Sequence, residues 1–289
     1  MKLSDILAGP GPHFSCEFFP PKTDKGEENL WQCIQELAVI DPAYVSVTYG
    51  AGGSTQDRTK RIVTRIKRET NLEPVAHLTC VGATKEQLGE LLDEYSAAGI
   101  ENILALRGDP PEGMDHFQAT AGGFSHASDL VRFIRDRDGF SIGVASYPEG
   151  HPESKNGVDD DIRFLKLKQD HGADAVITQY FFDNESFYRF RDLAVASGVT
   201  IPLVPGIMPI TNFDQIERFS AMCGATIPAW LHARLDPLRG DLEAVKAIGL
   251  EVATEQCRDL LANGVTALHF YTLNKSEATI AVCNNLLAG

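Results

Sequence analysis

Apolar residues along the chain gather into eight short runs, at 14–18, 44–48, 74–79, 102–106, 141–146, 175–179, 203–207 and 267–271. Each is too short for a helix and is bounded by turn residues, which predicts strands buried on both faces. Between them, segments 28–40, 55–69, 84–98, 127–136, 160–171, 185–197, 213–222 and 276–287 repeat their apolar positions with helical period. Helix punctuation agrees: Ser54 and Thr55 precede one helix, Thr84 with Gln87 makes a capping box, and Gly99, Gly172, Gly198 and Gly264 follow helix ends. Regular alternation of strand and helix demands a parallel sheet, because each right-handed crossover returns the chain in the same direction. Eight repeats in about 250 residues match the size of an α/β TIM (β/α)8 barrel. The stretch 226–262 exceeds one crossover and predicts extra helices at 228–235 and 241–261, between strands seven and eight. No Pro/Ser-rich linker interrupts the pattern, so residues 1–289 are expected to form a single catalytic domain.

Composition narrows the partners. No run approaches the roughly 18 to 20 apolar residues of a membrane span, and residues 1–12 are too short and too weakly apolar for a signal peptide. A net charge of -14 and a pI near 5 argue against nucleic acid, whose phosphates need a basic face. Six cysteines lie scattered without a CxxC pair or a tight Cys/His cluster, so neither a zinc site nor a disulfide framework is expected. Reduced thiols in a cytoplasm fit that distribution.

Nearly every predicted strand ends in a residue able to do chemistry: Glu17, Thr48, His77 with Thr79, Arg107 with Asp109, Tyr147, Gln179 and Tyr271. In a barrel these ends form one face, where active sites sit. Glu17 lies in the apolar frame Phe14-Ser-Cys-Glu-Phe-Phe-Pro-Pro, which is expected to desolvate its carboxyl and raise its pKa toward the range of a general acid. A buried ion pair with Arg107 is the competing role. Arg107 and Asp109 stand two residues apart, so a strand's period aims both at the mouth. Gly50-Ala-Gly-Gly53 before a helix start offers backbone amides to a phosphate or to plain turn chemistry. His77, Tyr147 and His151, with Lys155 and Lys168 nearby in sequence, supply donors for a polyanionic ligand. No lysine ends a strand, which disfavours Schiff-base chemistry. Gln179, followed by Tyr-Phe-Phe, suits a flat heteroaromatic ring with polar edges.

Eight segments in order resemble the methylenetetrahydrofolate reductase family. They are Phe14-Ser-Cys-Glu-Phe-Phe-Pro-Pro, Val47-Thr-Tyr-Gly-Ala-Gly-Gly, Ala76-His-Leu-Thr-Cys, Leu106-Arg-Gly-Asp-Pro-Pro, Tyr147-Pro-Glu-Gly-His-Pro-Glu, Ile177-Thr-Gln-Tyr-Phe-Phe-Asp, Pro205-Gly-Ile-Met-Pro-Ile-Thr-Asn-Phe and His269-Phe-Tyr-Thr-Leu-Asn-Lys. The resemblance implies a flavoprotein in which NADH or NADPH reduces noncovalent FAD, and the flavin then reduces 5,10-methylenetetrahydrofolate to 5-methyltetrahydrofolate in a ping-pong cycle that feeds methionine synthesis. It makes Glu17 the acid that opens the folate's five-membered ring. Asp109 would disfavour the anionic reduced flavin and so strengthen it as a donor. FAD contacts fall to Thr48, His77, Arg107, Asp109, Tyr147, His151, Asp161 and Lys168, folate contacts to Gln179, Tyr271 and Lys275, and Phe213 would stack on nicotinamide or on the folate's aromatic ring. A cytoplasmic homo-oligomer without bound metal is also implied.

Some positions depart from the family. Lys275 stands where arginine is common, replacing a two-pronged grip by a point charge. Phe164 occupies an often polar position, and one extra residue between Lys155 and Gln179 leaves Asp160 and Asp161 as alternatives for the cofactor contact. The chain ends soon after strand eight, so the regulatory domain of longer relatives, with its S-adenosylmethionine feedback, is not expected. A metal-dependent lyase using Glu17, His77 and Asp109, and a flavin- or folate-binding protein without turnover, are the rival readings. Choice between NADH and NADPH stays open.

Overall fold

A computed structural model describes residues 1–49, 56–109 and 117–288. Eight parallel strands close on one another in chain order: β1 (His13–Phe18), β2 (Tyr44–Val47), β3 (Pro74–Thr79), β4 (Asn102–Leu106), β5 (Ser141–Ser146), β6 (Ala175–Tyr180), β7 (Leu203–Ile207) and β8 (Ala267–Tyr271). Each coincides with a predicted strand to within one residue at either end. A short helix, α1 (Leu3–Ala8), precedes the barrel. The crossovers after β1 to β6 carry α2 (Asp24–Leu37), α3 (Gln56–Glu69), α4 (Lys85–Ala97), α5 (Ala127–Arg135), α6 (Val158–Asp170) and α7 (Asn184–Ala196). Between β7 and β8 lie α8 (Phe213–Cys223) and the two expected extra helices, α9 (Ala229–Leu235) and α10 (Leu242–Ala262), and α11 (Glu277–Leu287) follows β8.

The helix signals act as read. Thr84 and Gln87 form a reciprocal capping box at 3.3 and 2.8 Å, and Gly99, Gly172, Gly198 and Gly264 all take positive φ. Helix α2 starts at Asp24 rather than at 28, because Thr23 caps it by accepting from Gly26 N–H at 3.1 Å. The Gly50–Gly53 segment and the helix start at Ser54 and Thr55 lie outside the described residues.

Two faces of the sheet bury different things. Outward residues such as Cys16, Val45, Leu78 and Val144 pack against the helices. In the lumen, Tyr44, Val75, Leu104, Ala175, Val204 and Ala267 meet Leu3, Ile6 and Leu7 of α1, which closes the N-terminal end. Helix α1 was not among the expected elements. Its free first-turn amides are met by polar residues at strand starts, Leu3 N–H donating to Asn102 Oδ1 at 2.6 Å and Ser4 N–H to Ser141 Oγ at 3.0 Å. Further along the lumen the filling becomes polar, with Ser15, Ser46, His77 and His269 all buried.

Helices α8 to α10 build a separate apolar cluster beside β6 and β7, from Tyr180, Phe182, Met208, Ile210, Phe213, Leu231, Leu235 and Val245. Helix α10 can approach only because Gly249 has no side chain: a Cβ there would lie 2.0 Å from the Ile210 carbonyl oxygen. Helix propensity alone predicts that Gly249→Ala stabilises the fold by up to about 1 kcal/mol. The clash with backbone reverses that sign, and a loss of roughly 1–3 kcal/mol is expected in urea unfolding.

Candidate active site

At the C-terminal mouth the strands surround a cavity of about 610 Å³, within the usual range for a ligand site. Glu17, Thr48, His77, Arg107, Asp109 and Tyr147 line it, as do His151, Asp161, Lys168, Gln179 and Tyr271. Two predicted residues do not. Phe213 is only 2% exposed and packs in the α8 to α10 cluster, with Arg239 over its ring at 4.6 Å. Lys275 is exposed outside the cavity, beyond β8.

Glu17 sits on the cavity floor. In the β1 register it stands beside Ser46 of β2 and Tyr271 of β8. Its Oε2 lies 3.3 Å from His77 Nε2, 3.4 Å from His269 Nε2 and 3.3 Å from Ser46 Oγ. His269 is fully buried, shares a 2.8 Å hydrogen bond between Nδ1 and Ser15 Oγ, and stacks on Tyr44 with centroids 5.9 Å apart. The expected raised pKa of Glu17 is not what this environment produces. Desolvation is the largest influence and does push it up, but the charge of His77 and the charge and hydrogen bond of His269 outweigh it, leaving the carboxyl at about 2. The apolar frame was legible in sequence; the imidazoles, distant along the chain, were not. The alternative ion pair with Arg107 is not formed either.

Arg107 instead grips Glu153 with two prongs, at 2.5 and 3.1 Å, and lies over Phe117 at 5.1 Å. His151 follows β5, its Nδ1 accepting from Glu153 N–H at 3.1 Å, and its ring meets Tyr147 edge-on with centroids 4.6 Å apart. Burial, then the charge of Arg107, lowers the pKa of His151. Burial raises that of Tyr147.

Asp160 and Asp161 both line the cavity but have different partners. Asp160 accepts from Asn156 and pairs with Arg163 at 3.2 Å, so it holds its own loop. Asp161 is buried and accepts from His151 N–H at 2.7 Å and Ser154 Oγ at 3.0 Å, tying the β5–α6 loop to the cavity. Lys168, one helical turn pair beyond, donates to the Ala145 carbonyl; burial lowers its pKa to about 8, against the opposing charge of Asp161. Asp109 is exposed at the rim.

On the far wall, Gln179 Oε1 accepts from Tyr180 N–H at 2.9 Å, and the Tyr271 hydroxyl donates to the Thr178 carbonyl at 2.8 Å. Thr48 follows β2, its N–H bonded to the Phe18 carbonyl at 2.8 Å. Residues 110–116, after Asp109, lie outside the described residues. Among those described, no group of three or more His, Cys, Asp or Glu is placed to hold a metal ion, and no helix is long and apolar enough to cross a membrane.

Sequence reasoning passed over Ser15, Ser46 and His269 as site residues. The signal was available: each stands two positions before a strand-end group, Glu17, Thr48 and Tyr271, and a strand's period of two puts both on one face. Short polar residues inside apolar runs read as strand filling when only strand ends are inspected.

Fold and site together define a (β/α)8-barrel protein with an acid–imidazole cluster at its C-terminal face. Residues 2–287 match the family model "Methylenetetrahydrofolate reductase". The 5,10-methylenetetrahydrofolate reductase of Pectobacterium carotovorum is 44% identical over 274 residues, covering 94% of this chain and 89% of the relative. The Escherichia coli protein of that name is 43% identical over 272 residues, covering 94% and 90%. Methylenetetrahydrofolate reductase (NADH) 1 of Arabidopsis thaliana is 43% identical over 99% of this chain, which spans 50% of the plant protein's length. The chain belongs to the methylenetetrahydrofolate reductase family. In fold it is similar, with a TM-score of 0.67 and 18% identity over 98% of this chain and 97% of the other, to a Clostridium thermocellum protein that binds two copies of 5-methyl-5,6,7,8-tetrahydrofolic acid.

Two titrations follow from these surroundings. The carboxyl of Glu17, held near 2 in the fold, stabilises the protein above the unfolded value of about 4.3, and that contribution disappears as the pH falls toward 2. In urea unfolding, the stability gap between wild type and Glu17→Gln should therefore narrow steadily below pH 4.3. Lys168 has the opposite sense. Its amine, lowered to about 8, costs stability at neutral pH and stops doing so as the pH rises toward roughly 10.4, because over that window the unfolded chain binds the extra proton. Wild type should gain stability relative to Lys168→Met between those two pH values; a flat difference would show that the ammonium is solvated.

Proposed function

We propose that this protein reduces 5,10-methylenetetrahydrofolate to 5-methyltetrahydrofolate, taking hydride from NADH or NADPH in a ping-pong cycle through noncovalent FAD. It would act in the cytoplasm, as a homo-oligomer, and feed methionine synthesis. Family membership supports the reaction. The observation that carries it to residues is Glu17, a carboxyl set between two imidazoles on the floor of the cavity.

The lining suits FAD. Thr79 Oγ1 is buried without a hydrogen-bond partner among the described residues, whereas His77 Nε2 is taken up by Glu17 at 3.3 Å. Such an unmet hydroxyl is costly unless a ligand meets it. With the ammonium of Lys168 and the guanidinium of Arg107, it fits a molecule that joins a polar ring edge to an anionic tail. FAD bound there would relay hydride from the nicotinamide to the folate. Thr48, His77, Arg107, Asp109, Tyr147, His151, Asp161 and Lys168 are the residues assigned to it. Of these, Asp161 acts by fixing the loop that carries His151. Asp109 would set a negative charge near the ring.

Glu17, Gln179 and Tyr271 would face the folate, and contacts from Phe213 or Lys275 require the mouth to rearrange. Substrate lying over the floor strips remaining water from Glu17. Desolvation already opposes ionisation there more strongly than any other single influence, so covering the floor favours the protonated carboxyl. The carboxylic acid can then protonate the ring nitrogen that departs as the five-membered ring opens, leaving a cation ready for hydride.

An anaerobic visible spectrum tests the whole cycle: the flavin band should bleach on NADH or NADPH and recover on 5,10-methylenetetrahydrofolate. A colourless protein that takes up no FAD would overturn the proposal. Glu17→Gln should still bleach, while the recovery slows by about 10²- to 10⁴-fold; equal loss in both halves would remove Glu17 from the acid role.

A further inference from the structure

The wall of the cavity contains a fault in the barrel's hydrogen-bond ladder. Between β6 and β7, Ile177 pairs with Val204 and Tyr180 with Gly206, so Thr178 and Gln179 both oppose the single residue Pro205. Proline has no N–H to give the ladder, and within sheets it is accommodated at such bulges. The next donor, Gly206 N–H, goes instead to the Thr178 side chain, Oγ1 accepting at 3.0 Å. That same hydroxyl donates to the Gln179 carbonyl at 2.9 Å. The Thr178 carbonyl, displaced from the ladder, accepts the Tyr271 hydroxyl at 2.8 Å.

Thr178 is fully buried and does not line the cavity. It is nevertheless bonded to both wall residues that the proposed function turns toward the folate. Gly206 completes the arrangement, since a Cβ there would lie 2.3 Å from the Thr178 carbonyl oxygen and 2.5 Å from Tyr271 Cε2. Bulges beside active sites re-aim side chains. We propose that Thr178 is a positioning residue for folate recognition, its hydroxyl setting the bulge that aims Gln179 while its carbonyl anchors the Tyr271 ring.

The inference rests on the proposed reductase activity, and its test separates the two. Thr178→Val keeps the shape and removes the hydroxyl, leaving Gly206 N–H without its acceptor. The KM for 5,10-methylenetetrahydrofolate should rise roughly five- to tenfold, the equivalent of about one lost hydrogen bond. Flavin reduction by NADH should keep its wild-type rate, and Thr178→Ser should restore the KM. Hydrogen exchange at the Gly206 amide should accelerate in Thr178→Val alone. An unchanged KM, or equal slowing of both half-reactions, would overturn the assignment. If Thr178→Val does not fold, Tyr271→Phe cuts the other tie, from the Tyr271 hydroxyl to the Thr178 carbonyl, and an unchanged KM there counts equally against the assignment. Wild-type protein that turns over no folate would refute the reductase reading, while the Gly206 exchange still reports whether Thr178 holds the bulge.

Discussion

Everything in the mouth of this barrel is arranged around one expensive act, the burial of a carboxyl group. An ionised glutamate taken out of water is tolerated only with compensating charge and hydrogen bonds. Here the compensation arrives from three strands: His77 on β3, His269 on β8 and Ser46 on β2 all reach Glu17 Oε2. The second layer holds the first, since Ser15 fixes one nitrogen of His269 and Tyr44 supports its ring. Closing the barrel between β8 and β1 is what brings these residues together. Stability and chemistry thus draw on the same contacts, and loosening the closure would disturb the acid before it disturbed the core.

The eight strands were legible because both faces of each are buried, so they stand out as unbroken apolar runs. Helix positions followed from period and caps, and the error at α2 came from Gly26, which sits inside a first turn that Thr23 caps. Helix α1 was missed for another reason: its three buried residues, Leu3, Ile6 and Leu7, make too short a stripe to be told from a loop. The gathering of the strand-end groups was largely visible, since eleven of the thirteen residues assigned to ligands line one cavity. The sign of the Glu17 shift was hidden, because the histidines that decide it are neighbours only through the closed sheet. Phe213 was misplaced with respect to the cavity for a similar reason: its burial depends on Arg239 and the α9–α10 insertion, partners remote in sequence.

The irregular pairing of β6 with β7 lies on the same side of the cavity as Gln179 and Tyr271. Pro205 and Gly206 are poor strand residues, yet the first explains the missing ladder donor and the second makes room for the ring of Tyr271. The opposite wall works by charge, with Lys168 and Arg107 set beside acidic partners. One cavity is therefore divided between a wall of hydrogen-bonding and aromatic groups and a wall of cations.

The small helix α1 gives the cavity a further property. Its Leu3, Ile6 and Leu7 add a last layer beneath the strand side chains that fill the lumen, so the barrel is a cup and not a tube. Among the described residues, the mouth is the doorway to the Glu17 floor. Any molecule that reaches the Glu17 floor must leave by the way it entered, and two molecules that need the same floor must wait on each other. Order of arrival is then a matter of architecture, decided at the end of the barrel farthest from the chemistry.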